Sequence, residues 1–220
     1  IALGRNQEKK VYIFPLAYTD SGYLTQSCLG ISDFNSKMRA PLLVLIEYMT
    51  ALEGPFWKQI RGKGLSYNYS INQNIEEGLL YFVLAQSGSV VKAYNESKAI
   101  LERYKEKTDK FEEVIVEAAR SAVISAVISS EETMHMAASN RFMQYLRGCK
   151  PEASRELLDQ VAAVTIDDLE KCLDELLIKL FDVSHGNVVI VTNPAKVDEI
   201  VKTMKEEQDV TLEVVDPEEY

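Results

Sequence analysis

Histidine is nearly absent from these 220 residues: His135 and His185 are the only two, fifty positions apart. A zinc protease needs two imidazoles on one helix face, as His-Glu-x-x-His or the inverted His-x-x-Glu-His. Neither pattern occurs. Cysteine is scarce too. Cys28, Cys149 and Cys172 are odd in number and lack Cys-x-x-Cys spacing, which argues against a disulfide framework or a thiolate zinc site and for a reducing compartment. Cytoplasm is the expected location, with a mitochondrial matrix as the alternative. No run approaches the roughly 18 apolar residues that span a bilayer, and no secretory signal pattern opens the chain. Basic residues are outnumbered, 24 Lys and Arg against 34 Asp and Glu, for a net charge of −10. Phosphate backbones need clustered cations, so the balance argues against nucleic acid and against an anionic membrane as partners. The glycosylation matches Asn68-Tyr69-Ser70 and Asn95-Glu96-Ser97 carry no weight in a reducing compartment.

What is present is ordinary globular material. A chain of this length can fold as one domain and bury about 70% of its unfolded surface. Val11–Tyr18 and Tyr23–Ser32 read as strands around the turn Asp20-Ser21-Gly22, hence as a hairpin. Residues Lys37–Thr50 carry a broad apolar helical stripe. Leu65–Gln73 and Leu79–Gln86 read as a second hairpin about Glu76-Glu77-Gly78, the latter strand so apolar that it is central or buried on both faces. From Val90 the period becomes helical. Ser129 and Glu132 fit a capping box for a helix carrying Met134, Ala138, Phe142 and Tyr145. Thr165 with Asp167 and Asp168 opens another helix, through Leu169, Leu173, Leu176 and Leu180. Asn187–Thr192, a helix from Asn193-Pro194 to about Glu207, and Val210–Val215 complete the chain. The order predicts a single α+β domain over 1–220: one mainly antiparallel sheet of about six strands with helices packed on one face, in the order ββααββ, helices, βαβ.

Most candidate chemistry fails on spacing. Gly62-Lys63-Gly64 misses the P-loop spacing and follows a helix instead of preceding one. Glu131 and His135 are four apart on a predicted helix and are read as surface residues, not as a metal pair. Glu112-Glu113, Glu131-Glu132 and Asp167-Asp168 read as solvated helix starts. No Ser/His/Asp or Cys/His arrangement has support.

The stretch Glu53–Tyr67 is different. It contains the only Trp and three of the ten glycines. Gly54 and Pro55 suit a helix start, Phe56, Trp57 and Ile60 share one face, and Gly62 and Gly64 offer the φ > 0 freedom that ends a helix. Leu65, Tyr67, Tyr69 and Ile71 then alternate as a strand. The turn can bring Arg61 and Tyr67 to one point, where a planar cation and a phenol suit a peptide carbonyl or a developing oxyanion. On residue chemistry alone, the favoured reading is packing, with Arg61 stacked on Trp57 and Tyr67 in the core.

The run Glu53-Gly54-Pro55-Phe56-Trp57-Lys58-Gln59-Ile60-Arg61-Gly62-Lys63-Gly64-Leu65-Ser66-Tyr67 resembles the Arg…Tyr segment of the pitrilysin/insulinase family of zinc metallopeptidases, of the presequence-protease and insulin-degrading type. Pro41–Met49 resembles the family's first long helix, and Val164–Leu169 through Val188–Val191 the helix and strand that close its domains. The resemblance implies the LuxS/MPP-like metallopeptidase fold and a fragment of a larger peptidase, its C-terminal non-zinc domain. A chain that begins with Ile1 fits a fragment or processed product. In such a protein an N-terminal half or partner subunit carries zinc, and Arg61 and Tyr67 contact the carbonyl of a peptide substrate inside a chamber. No zinc or other cofactor is expected on this chain, which is predicted inactive alone. It is also expected to expose an apolar or acidic face meant for another domain. The alternative is a non-catalytic structural or partner subunit of the same fold, like the core subunits of the respiratory cytochrome bc complex.

Overall fold

Gly22–Leu29 becomes a strand because its alternate residues Leu24, Gln26 and Cys28 turn to one side and Tyr23, Thr25 and Leu29 to the other. The same period organises five more strands in the computed structural model, which describes residues 11–183 and 186–215. They are β1 (Val11–Pro15), β2 (Gly22–Leu29), β3 (Ser66–Asn74), β4 (Leu79–Ser87), β5 (Gly186–Thr192) and β6 (Glu213–Val214), in the spatial order β3-β4-β2-β5-β1-β6. The helices are α1 (Arg39–Thr50), α2 (Val90–Lys105), α3 (Glu113–Ser129), α4 (Met134–Leu146), α5 (Ala153–Ala162), α6 (Ile166–Cys172), α7 (Ile178–Leu180) and α8 (Val197–Gln208). A π-helical turn joins α6 to α7, so Ile166–Leu180 runs as one rod.

The sheet is mixed. β3–β4, β4–β2 and β2–β5 pair antiparallel, whereas β1 lies parallel to both β5 and β6. Inward residues line up across the strands. Ile13, Ile190, Leu24 and Leu84 form one row, and Val188, Gln26, Phe82 and Ile71 the next. All eight are at most 3% exposed beneath the helices. This is the α+β layer that the order of elements predicts. α1 supplies much of the packing, burying Leu42, Val44, Leu45, Tyr48 and Met49; each such side chain contributes about 1.5–3 kcal/mol. Among the described residues no helix is long and apolar enough to cross a membrane.

Three local expectations change. β1 and β2 do not form a hairpin, because β5 lies between them. The connection from Leu16 to Ser21 is long enough to step over one strand, a span of about 9.5 Å. It is fastened there: Asn193 Nδ2 donates to the Thr19 carbonyl at 3.1 Å and Lys196 Nζ to the Asp20 carbonyl at 2.9 Å. Ser129 and Glu132 are not a capping box. α3 continues through Ser129, and Thr133 caps α4 instead, its Oγ1 accepting from Met136 N at 3.2 Å. The last strand shrinks from Val210–Val215 to Glu213–Val214. Other expectations hold. β3 and β4 form the second hairpin, with β4 inside the sheet between β3 and β2 and buried on its helix side. Thr165 and Asp168 form a reciprocal capping box at the start of α6. His185 lies outside the described residues.

α4 sits on the fold in an unusual sense. None of its residues is buried. Met134, Phe142, Tyr145 and Leu146 are exposed, while Asn140 and Gln144 turn inward. Asn140 Nδ2 donates to Glu131 Oε1 at 3.0 Å, Gln144 Nε2 to Ser154 Oγ at 2.7 Å, and Ser154 Oγ to the same Glu131 oxygen at 2.7 Å.

Candidate functional site

Pro55 opens a short helix whose next turns are wound as a π-helix over Trp57–Arg61. Phe56 and Ile60 are fully buried and anchor it to the core. The wider winding shows in two i→i+5 bonds: Gly62 N donates to Trp57 O at 2.8 Å and Leu65 N to Ile60 O at 2.9 Å. Such turns insert an extra residue into a helix and recur at functional sites. Gly62 is right-handed, not left-handed, and is needed for another reason: a Cβ there would meet the Lys58 carbonyl oxygen at 2.5 Å. Gly64 makes the reversal, at φ +68°. β3 then starts under firm restraint. Ser66 Oγ lies 2.9 and 3.0 Å from the Asn68 and Ala85 carbonyls, to which its single O–H can donate, and Ser87 Oγ donates to Leu65 O at 2.7 Å.

This corner brings Arg61 and Tyr67 together. The guanidinium carbon lies over the Tyr67 ring, 4.8 Å from its centroid, a cation–π arrangement worth about 0.5–1 kcal/mol at an exposed position. Arg61 therefore stacks on Tyr67 rather than on Trp57. Tyr67 shares strand parity with buried Ile71 yet is 57% exposed; at this end of β3 it is Ser66 that is buried. Among the described residues neither the Arg61 guanidinium nor the Tyr67 hydroxyl has a hydrogen-bond or ion-pair partner, although the Arg61 carbonyl accepts from Gly64 N at 3.0 Å. Both present donors to solvent from backbone held on a rigid turn. Tyr69 stands beside them, bonded to the Thr50 carbonyl at 3.4 Å. Burial pushes its hydroxyl above the ordinary phenol range, with the Arg61 charge acting in the other direction. Lys63 is turned away, to Glu96 at 3.4 Å.

Sequence reasoning missed two features here. Trp57 holds its indole Nε1 buried without a partner, and the π winding has no signal beyond the glycine two residues after Ile60. The other candidates resolve as scaffold. Glu131 is engaged with Asn140 and Ser154, and His135 is exposed on α4. Glu113 pairs with Arg120 at 2.6 Å. Asp168 caps α6, and its bonds from Thr165 hold its carboxyl below the usual range. Burial pushes the Cys28 and Cys172 thiols up to about 12, which leaves them unreactive. Among the described residues no cluster of His, Cys, Asp or Glu is placed to hold a metal ion, so these residues do not fit a zinc ion.

No family model matches the sequence. An uncharacterized protein of Schizosaccharomyces pombe is 24% identical over 196 residues, 89% of this chain and 19% of its own length. The chain spans about a fifth of the length of the curated relatives it matches. Among solved structures, pitrilysin superposes with a TM-score of 0.61 at 14% identity, covering 94% of this chain and 22% of that one. The inactive peptidase domain of a zinc protease from Bordetella parapertussis does so at 0.64 and 14%, covering 80% and 92%. At these identities the likeness establishes the fold, that of pitrilysin-type peptidase domains.

Proposed function

We propose that this chain is a non-zinc domain of a pitrilysin-type peptidase, and that Arg61 and Tyr67 bind the carbonyl of a peptide substrate. The observation that carries the reading is the pairing of two unsatisfied donors, 4.8 Å apart ring to guanidinium, on a π-helical turn. Arg61 would donate from its planar fork and Tyr67 from its hydroxyl as negative charge develops on the carbonyl oxygen. The ring contact holds the guanidinium near the phenol without consuming its N–H donors. Cation and phenol are thus placed before substrate arrives, which is the condition for donors to favour the transition state over the ground state. The metal and general base would come from residues outside this chain, and the domain alone would be inactive.

The test uses the full-length polypeptide that contains this sequence. Tyr67→Phe and Arg61→Ala should each lower peptide turnover about a hundred- to thousand-fold without altering metal content. Unchanged turnover in both variants would sink the assignment. The likeness to an inactive peptidase domain favours a second reading, a non-catalytic subunit of the same fold. That reading requires a full-length protein and partners without peptidase activity.

A further inference from the structure

Where β4 passes into α2 the chain reads Ser87-Gly88-Ser89-Val90-Val91-Lys92. Gln86 is left-handed at φ 55°, and the β2–β4 register shifts between Gly22 and Leu24. This bulge turns Ser87 inward and aims the chain back over the sheet. Gly22 lets the corner close, since a Cβ there would meet Val90 Cγ2 at 2.1 Å. The first turn of α2 thus begins directly above the sheet. Between it and α8 lies a crevice of about 450 Å³, with Gly22 and Thr192 on the sheet side.

Two independent features of this crevice call for a ligand. The first is the start of α2. The N–H groups of Val90, Val91 and Lys92 precede any intrahelical acceptor, and the Ser89 side chain caps none of them. No other backbone carbonyl among the described residues accepts from them. The aligned peptide dipoles add positive potential at the same place. The second is Thr192. It continues the inward parity of Val188 and Ile190 and faces the crevice from the sheet. The residue is 0% exposed and its Oγ1 has no hydrogen-bond partner. A buried hydroxyl without a partner is costly unless something supplies one.

The charges around the crevice are ordered. Lys92, in the first turn of α2, makes no ion pair among the described residues, and Lys196 leans on the Asp20 carbonyl. The acids are Glu199, on the first turn of α8, and Glu207, which is held by Asn95 a turn farther along α2. Positive potential is therefore concentrated at the α2 end. The geometry points to a binding site for a small oxyanion, the carboxylate or phosphate group of a ligand. It seats on the N–H groups of Val90–Lys92, with Thr192 Oγ1 donating and Lys92 supplying charge. This site lies outside the Arg61–Tyr67 corner and does not depend on the peptidase reading.

An amide-detected NMR titration of the chain, with inorganic phosphate and separately with acetate, tests it. Saturable shifts at Val90, Val91, Lys92 and Thr192 are expected below about 10 mM. Thr192→Val keeps the shape and removes the donor; it should weaken binding about tenfold without lowering thermal stability. Lys92→Gln should weaken binding and flatten its salt dependence, while Lys98→Gln, farther along α2, leaves the affinity unchanged. Saturation by phosphate alone assigns a phosphate ligand, and by acetate alone a carboxylate. No saturable shift with either anion, or full affinity in both Thr192→Val and Lys92→Gln, overturns the site.

Discussion

α1 and α4 are of similar length and both are rich in apolar side chains, yet α1 buries seven residues and α4 none. In α1 the stripe of Leu42, Leu45 and Met49 is pressed between α3, α5, α6 and β3. In α4 the stripe of Met134, Phe142 and Tyr145 faces outward, and the helix is held by a polar seam of Asn140, Gln144, Glu131 and Ser154. Apolar periodicity thus says that a helix has a face to cover, not which partner covers it. In α4 hydrogen bonds do what side-chain burial does in α1. The same proposal that makes the chain one domain of a longer peptidase assigns the α4 stripe to packing against another domain of that polypeptide.

Leu45→Ala, at 0% exposure, should cost about 2–5 kcal/mol in chemical denaturation; a cost below that range would show that α1 is not the centre of packing. Glu131→Ala removes the acceptor shared by Asn140 and Ser154 and should cost about 1–3 kcal/mol, loosening α4 before the sheet in hydrogen exchange. Thr165→Ala at the α6 cap should cost about 1 kcal/mol. Part of that depends on pH. The folded state holds the Asp168 carboxyl below its ordinary range, so its contribution is whole above the unfolded value of about 4 and is lost as pH falls further. Wild type and variant should therefore converge in acid. Phe142→Ser with Tyr145→Ser should change stability by no more than about 0.5 kcal/mol. The pair should also abolish binding of an apolar dye by the isolated chain, and a wild-type chain that binds no dye would remove α4 as a docking face.

Much of the fold was legible because its signals are local. The stripe of α1, the Glu76–Gly78 turn of the β3–β4 hairpin and the Thr165–Asp168 cap are each written within a few residues. The neighbours of β1 were not, because its partners Val188–Thr192 lie at the far end of the sequence, and a turn at Asp20–Gly22 reads the same with or without an intervening strand. Ser129 misled for a related reason. It satisfies a capping pattern, but the apolar run of α3 makes Ser129 its last residue and leaves the cap to Thr133. At the candidate site, residue chemistry alone favoured packing, and it was the spacing across the glycine turn together with the family resemblance that singled out Arg61 and Tyr67. They left open which ring the guanidinium covers, since that depends on the π winding and on Gly64.

The interposition of β5 between β1 and β2 also sets the order in which the chain can be made. β3, β4 and β2 can assemble soon after they leave the ribosome, but β2 keeps one open edge and β1 has no neighbour at all until Gly186–Thr192 emerges. At about 5–20 residues per second this exposes pairing surface for roughly ten seconds or more. Closing the sheet then means joining distant segments, which is slow because loop entropy is lost before any contact rewards it. An unpaired edge in that interval is a template for another chain. The arrival of the strand that joins β1 to β2 is therefore also the step before which a nascent chain is most open to aggregation, and the step that a chaperone would shelter.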